Sequence, residues 1–197
     1  MNFFFYKLLQ DYVHQGHKKQ KAVLRGEYAL LAEKKSSPRV LELACGGGGF
    51  ADLFKQSCYT GIDLSAERIA IARDKYPGYT FKVFDVDQSG FVQLVRSADL
   101  IYCHGLLHHL NDEQCGSLLR TICEHAGSPA VFIAFEPVLP LLRRNPLGYL
   151  LSKLDEGRFI RRPQEYAGFF QGRSLEIKKI SFFPRWPQIM RAYILRF

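Results

Sequence analysis

A chain of 197 residues, 47% hydrophobic and 23% charged, has the length and composition of one soluble globular domain. Its five cysteines are an odd number without a C-x-x-C pair, which argues against a disulfide framework or a zinc ribbon and favours buried thiols in a reduced, cytoplasmic setting. The net charge of +8 is uneven: Lys/Arg and Asp/Glu number seven and three in residues 1–35, eight and twelve in 36–142, and twelve and four in 143–197.

Residues 3–34 are predicted to be helical. Apolar residues recur there at three- and four-residue spacing, and Gly16 and Gly26 allow breaks between short helices. We interpret residues 1–36 as an N-terminal helical cap. No stretch of the chain reaches the ~18–20 apolar residues that span a bilayer.

From residue 39 the pattern alternates between strands and helices. Strands are predicted at 39–44, 59–63, 79–84, 99–103 and 130–135, with helices at 49–56, from Ser65, at 88–96, and through 124 after a cap at Asn111 or Asp112. Interleaved strands and helices indicate a parallel sheet with right-handed crossovers, a doubly wound α/β fold. Ligands of such sheets bind beyond the carboxyl ends of the strands.

The final third has a different pattern. Residues 137–162 are rich in proline, glycine and leucine and are long for a connection, so we expect a lid or insertion. A helix at 163–171 and strands at 175–183 and 190–197 follow, the strands joined by a hairpin-like connection at 184–187. The whole chain, 1–197, is expected to form a single domain.

The most informative stretch is residues 39–50, a strand that ends in four glycines and is predicted to reopen as a helix. It fits the dinucleotide fingerprint G-x-G-x-x-G with Ala44 in the first place, and it also fits E-x-A-x-G-x-G. A carboxylate at Glu42 would repel a pyrophosphate, whereas it suits the sulfonium and ammonium of S-adenosylmethionine (SAM). The second form resembles the first motif of class I SAM-dependent methyltransferases.

The resemblance extends over residues 38–138. It implies a Rossmann-like, mostly parallel seven-stranded sheet in the order 3-2-1-4-5-7-6, with strand 7 antiparallel. It also implies a ribose contact at Asp63, an adenine contact at Leu64, an adenine amino contact at Asp85, and a strand-end residue, His104, near the methionine moiety. The cofactor-binding residues so implied are Glu42, Ala44, Cys45, Gly46, Gly48, Asp63, Leu64, Asp85, Val86 and His104.

The function that follows is methyl transfer from SAM, with S-adenosylhomocysteine as product, to a small-molecule or lipid- or polyketide-like acceptor in biosynthesis. The basic flanks favour an anionic or carrier-bound acceptor, or are merely solvated surface. A base is needed only for acceptors such as a hydroxyl, and His104, His108 and His109 are the candidates, although the last two are adjacent and cannot both face the site. No Cys/His set has zinc-ligand spacing, so no metal is expected.

Other interpretations stay open. The chain could be a non-catalytic SAM-fold binding module. An RNA-directed methyltransferase is favoured by the sequence pI of about 9.3, but no N-P-P-[YF]-type motif occurs and no nucleic acid is expected. Peripheral membrane contact through residues 3–6 is a further alternative. The protein is expected to be a monomer or a homodimer.

Overall fold

The protein is described by a computed structural model that covers residues 3–155, 157–170, 172–180 and 189–197, without the side chains of residues 3–16 and 189. The predicted connection at 184–187 and the side chains of residues 3–6 lie outside the described parts.

Seven strands form one sheet. They are β1 (Val40–Leu43), β2 (Tyr59–Asp63), β3 (Thr80–Val83), β4 (Leu100–His104), β5 (Val131–Val138), β6 (Leu175–Ile180) and β7 (Ile189–Arg196). Their order is β3-β2-β1-β4-β5-β7-β6, and β7 runs antiparallel to β5 and β6 while the first five strands are parallel. The doubly wound α/β fold and its strand order are therefore confirmed.

Within the described ranges, six α-helices accompany the sheet: α1 (Phe3–Lys34), α2 (Ala66–Lys75), α3 (Phe91–Ser97), α4 (Asp112–His125), α5 (Pro146–Lys153) and α6 (Pro163–Gly168). The predicted start of α4 is confirmed, because Asn111 forms a capping box with Gln114. The core lies in two layers. Leu24 and Leu31 of α1 pack with Phe50 and Phe54 in one layer, and apolar residues of α3 and α4 pack in the other.

The N-terminal helix is continuous, so the predicted breaks at Gly16 and Gly26 are wrong. Gln20, Leu24, Glu27 and Leu31 are all buried at three- and four-residue spacing. An interior glycine costs a helix about 1 kcal/mol, and burial of this face outweighs that cost.

The predicted helix at 49–56 is also wrong. Two short 3₁₀ turns, Ala51–Leu53 and Gln56–Cys58, connect the glycine run to β2. Glycines are poor helix formers, and α1 supplies the apolar cover of this layer. No α-helix N-terminus therefore follows the glycines.

The direction of α1 determines what it covers. Lys35 follows its C-terminus and pairs with Asp99, which lies just before β4, with 2.8 Å between Nζ and Oδ1. Gln20 lies against His104 at the other end of β4. The N-terminal half of α1 thus points to the carboxyl edge of the sheet. Among the residues that the structure describes, no helix is long and apolar enough to cross a membrane.

Candidate cofactor and acceptor site

The glycine turn leaves β1 in an unusual backbone conformation. Ala44, Gly46 and Gly48 all have positive φ, at 52°, 52° and 74°, a region that favours glycine. A Cβ added at Gly46 or Gly49 would meet no atom within 4 Å. The turn therefore presents bare backbone to open space, as a cradle for a closely approaching ligand requires.

Asp63 ties this turn to the end of β2. Its Oδ2 accepts a 2.8 Å hydrogen bond from the Gly46 N–H, and its Oδ1 accepts one of 2.9 Å from the Ser65 N–H. Each carboxylate oxygen can accept more than one bond. The carboxylate can therefore hold the turn and still receive the hydroxyl donors of a ligand.

The other residues predicted to meet the adenosine lie beside Asp63. Leu64 is 69% exposed, a high value for a leucine next to a buried carboxylate. Asp85 and Val86 are half-buried in the turn after β3, where Asp85 Oδ1 accepts from the Asp87 N–H at 3.0 Å. The pairing of β2 with β3 places both turns at one edge of the sheet.

Glu42 is a buried residue of β1. It is only 2% exposed, and its Oε2 accepts hydrogen bonds from the hydroxyls of Tyr59 and Tyr102 beneath the glycine turn. Burial raises its pKa to about 7. Direct contact of Glu42 with a ligand stays a prediction; its described contacts give it a positioning role in the core.

Cys45 also lies in the core, below the turn. Its Sγ approaches the chain at Gly61, where an added Cβ would lie 2.9 Å away. Burial raises the pKa of this thiol and of the Cys103 thiol, so neither is an activated nucleophile. All five cysteines are free, and among the residues the structure describes no group of three His, Cys, Asp or Glu could hold a metal ion.

His104 lies at the end of β4 beneath α1. Its Nε2 is 3.0 Å from Nε2 of Gln20, and its ring centroid is 5.5 Å from that of Phe50 and 5.8 Å from that of His17. Burial lowers the pKa of His104 to about 4. The imidazole is therefore neutral near pH 7, where it accepts a hydrogen bond but is a weak base.

Gln20 carries an unsatisfied group in the same place. Its Oε1 is buried without a hydrogen-bond partner among the described residues, while its Nε2 lies 2.6 Å from Sδ of Met190. A buried amide oxygen without a donor is costly, and a ligand donor at this edge would satisfy it.

His108 belongs to a buried cluster that is separate from the contacts of His104 with Gln20. Glu136, fully buried at the end of β5, accepts from the backbone N–H groups of Leu106 and Leu107 at 2.9 and 2.8 Å, and from that of His108 at 3.3 Å. His108 Nδ1 lies 2.8 Å from the same carboxylate, and its Nε2 lies 3.6 Å from Asp155. Both ring nitrogens of His108 thus face carboxylates.

The segment after α5 closes over this cluster. Gly157 packs on the His108 ring, the Phe159 N–H donates to the His108 carbonyl at 2.9 Å, and Arg161 donates to the carbonyls of Leu107 and Leu110 and to Asp112. We call residues 157–161, so attached, the clamp. Its geometry favours a positioning role for His108.

The three candidate histidines are therefore separated. Of the three, His104 lies beneath α1, where it contacts Gln20, whereas His109 is exposed with its ring centroid 4.2 Å from that of His108. The sequence analysis did not single out His17 and Gln20, whose three-residue spacing places them on one face of α1. It also assigned no role to Glu136 or Arg161, whose contacts join distant parts of the chain.

The matched domain and the strand order define one class of protein. Residues 40–127 match the family described as "Methyltransferase domain", and the sheet has the order and the antiparallel β7 implied by the resemblance. The chain has the fold of the class I SAM-dependent methyltransferases, and the predicted resemblance is confirmed.

Several solved structures share this fold. The plantazolicin methyltransferase BpumL, solved with a triazolic desmethyl analogue and S-adenosylhomocysteine, has a TM-score of 0.68 at 15% identity, covering 97% of this chain and 90% of its own. Magnesium protoporphyrin IX methyltransferase from Synechocystis PCC 6803 has a TM-score of 0.65 at 17% identity, covering 99% of this chain and 88% of its own. Human N-acetylserotonin methyltransferase, solved with SAM, has a TM-score of 0.62 at 22% identity, covering 81% of this chain and 47% of its own. No curated protein sequence matches the chain.

Proposed function

We propose that this protein transfers the methyl group of SAM to a small, largely apolar acceptor that carries an anionic part. The observation that supports this most is the arrangement of Asp63, whose carboxylate ties the open glycine turn to the end of β2 beside the exposed Leu64. The similar solved structures with bound SAM or its product agree with a donor site at this edge.

The residues present fit SAM. Asp63 would receive the ribose hydroxyls, Leu64 and Val86 would cover the adenine, and Asp85 would meet its amino group. The glycine turn leaves room for the ligand, since a Cβ at Gly46 meets nothing within 4 Å. The orphaned Gln20 Oε1 supplies an acceptor for an ammonium.

Methyl transfer from SAM requires the protein to do little more than align the two reactants. SAM, when bound, supplies an electrophilic methyl group with an activated leaving group. The chain's own residues then orient the acceptor in line and exclude water. The rings of Phe50 and of His17, on α1, pack against the His104 ring. In this proposal the neutral His104 contacts the acceptor and orients it.

The proposed class of acceptor follows from the segments that reach the carboxyl edge of the sheet. α1 and the leucine-rich residues 137–162 both reach the carboxyl edge of the sheet, and residues 143–197 carry an excess of eight positive charges. An apolar acid, either free or thioesterified to a phosphate-bearing carrier, suits these segments. In this proposal the protein acts in the cytoplasm as a single domain with residues 137–162 as a lid, and residues 3–6 would add peripheral membrane contact.

The test is the release of S-adenosylhomocysteine from SAM in the presence of a panel of long-chain and polyene acids, offered free and as phosphopantetheine thioesters. We expect turnover with some of them, a loss of at least about tenfold in kcat for His104→Ala, and little change for the exposed His109→Ala. Tight SAM binding without turnover on any acceptor would instead favour the binding module. Turnover on RNA alone would favour the nucleic-acid enzyme.

A further inference from the structure

The helix α5, within residues 137–162, exposes leucine side chains to solvent. Leu147, Leu150 and Leu154 follow one another at helical spacing, three on one face, and they are 57%, 56% and 73% exposed. The residues that α5 and its flank bury are Gly148, Ser152 and Gly157. A surface helix ordinarily buries its apolar stripe, so the solvent side of α5 is an unpartnered apolar face.

The apolar face continues into the loop before the helix. Leu141 and Leu142 are 41% and 57% exposed. Together with Leu147, Leu150 and Leu154 they form what we call the leucine face. Scattered exposed leucines need no explanation, but a contiguous set marks an interaction surface.

Cations border the leucine face. Arg143, Arg144, Lys153 and Arg158 are all exposed. The nearest described acid, Asp155, is turned inward, since its Oδ1 accepts from the Gly157 N–H at 2.8 Å and faces the His108 ring. Within the described residues none of these four cations forms an ion pair. Exposed leucines bordered by such cations match an interface whose surface is negative and whose interior is apolar.

The position of the leucine face is also informative. It follows β5 at the carboxyl edge of the sheet, the same edge that carries the glycine turn and His104 and to which the N-terminal half of α1 points. The helix is held there by the clamp, because Leu139 N–H donates to the Arg161 carbonyl at 2.9 Å and Arg161 is bonded to Asp112. The leucine face is therefore presented on a fixed base.

We propose that the leucine face docks the protein on an anionic membrane surface, with its leucines in the acyl boundary and the surrounding arginines and Lys153 at the lipid headgroups. The catalytic edge then faces the bilayer, from which an apolar acceptor would enter directly. The docking does not depend on methyl transfer, and it is measured without SAM.

The experiment is co-sedimentation of the full chain with vesicles of phosphatidylcholine alone and of phosphatidylcholine with phosphatidylglycerol. We expect binding to the anionic vesicles and a loss of at least about tenfold in partition coefficient for the triple variant Leu147→Ser, Leu150→Ser, Leu154→Ser. Leu30→Ser, an equally exposed leucine on α1, is the matched control and should bind like wild type.

A second variant isolates the electrostatic contribution to vesicle binding. Arg143→Gln with Arg144→Gln should weaken binding to anionic vesicles by about fivefold per cation and flatten its dependence on salt. The thermal unfolding midpoint of each variant checks that it is folded, as the exposure of the substituted side chains predicts.

Three results would overturn the proposal. The first is a wild-type chain that stays in the supernatant with both kinds of vesicle. The second is a folded triple variant that binds them as wild type does. The third is vesicle-independent self-association in sedimentation velocity that the triple variant abolishes, because the leucine face would then be covered by a second copy of the chain. None of these results would affect the test of SAM turnover.

Discussion

The Cα of Gly157 lies directly against the imidazole of His108, and a Cβ on residue 157 would lie 1.8 Å from Cδ2 of that ring. No such contact is sterically allowed, and the ring has no freedom to move because its Nδ1 is engaged with the buried Glu136. The clamp can therefore close only over a glycine.

Gly157→Ala should detach the clamp. We expect faster hydrogen exchange at the Phe159 N–H, which donates to the His108 carbonyl, and a loss of about 1–3 kcal/mol in the free energy of unfolding. Gly168→Ala is the control, since a Cβ there meets nothing within 4 Å. If the steric account holds, adding His108→Ala to Gly157→Ala should cost less than the sum of the two single changes; strict additivity would contradict it.

Arg161 should not tolerate replacement by lysine. Its guanidinium donates to the carbonyls of Leu107 and Leu110 and twice to Asp112 Oδ1, and it is 7% exposed. Lysine keeps the charge but lacks the planar fork that reaches these acceptors together. We expect Arg161→Lys to lower the free energy of unfolding by about 2–3 kcal/mol, measured in urea, and the exposed Arg158→Lys to leave it unchanged. Equal effects of the two would contradict this anchoring role.

Glu42 should make the protein less stable as the pH rises. Its pKa is raised by burial from 4.5 to about 7, so between these values the folded state holds a proton that the unfolded state has released. The contribution of Glu42 to stability is then full below pH 4.5 and is lost as the pH rises through 7, by about 3 kcal/mol.

The matched variant is Glu42→Gln, which keeps an oxygen acceptor for Tyr59 and Tyr102 but does not titrate. Its unfolding free energy, followed from pH 4.5 to 8, should fall less steeply than that of wild type, so that the variant gains relative stability at the alkaline end. A parallel pair of curves would show that Glu42 does not hold a raised pKa.

Gly26 should be replaceable with a gain in stability. It is exposed in the interior of α1, and an added Cβ would meet nothing within 4 Å. Gly26→Ala should therefore raise the free energy of unfolding by about 0.5–1 kcal/mol. Gly48→Ala, at φ 74° and with Phe81 3.0 Å from the new Cβ, should lower it. Loss of stability in both variants would mean that α1 is not continuous through residue 26.

The strands and their carboxyl ends were predictable because both depend on local patterns, whereas the order of the strands in the sheet was implied by the family resemblance. Runs of buried apolar residues form β1, β2, β4 and β5, and the polar residue that ends a parallel strand must lie at the ligand edge, as Asp63 and His104 do. The family resemblance supplied the place of β7 between β5 and β6, which local patterns do not determine.

The features that could not be predicted depend on contacts between distant parts of the chain. Local glycine signals predicted breaks in α1, but burial of Leu24 and Leu31 outweighs them. Burial keeps His104 neutral, and its contact with Gln20 joins residues that are 84 positions apart in the sequence. His108 is enclosed by Gly157, which lies 49 residues later in a segment without a regular hydrophobic pattern. The contacts of Gln20 with His104 and of Gly157 with His108 leave no signal in the local spacing of residues.

The cofactor assignment depends on Asp63, whose Oδ2 accepts the Gly46 N–H and whose carboxylate would also receive the ribose hydroxyls. The most direct test is calorimetric titration of SAM and S-adenosylhomocysteine into the wild type, Asp63→Ala and Asp87→Ala, the last being an exposed acid in the neighbouring turn. We predict binding by the wild type and Asp87→Ala and a loss of at least about tenfold in affinity for Asp63→Ala. Absence of SAM binding by the wild type, or undiminished binding by Asp63→Ala, would contradict the account.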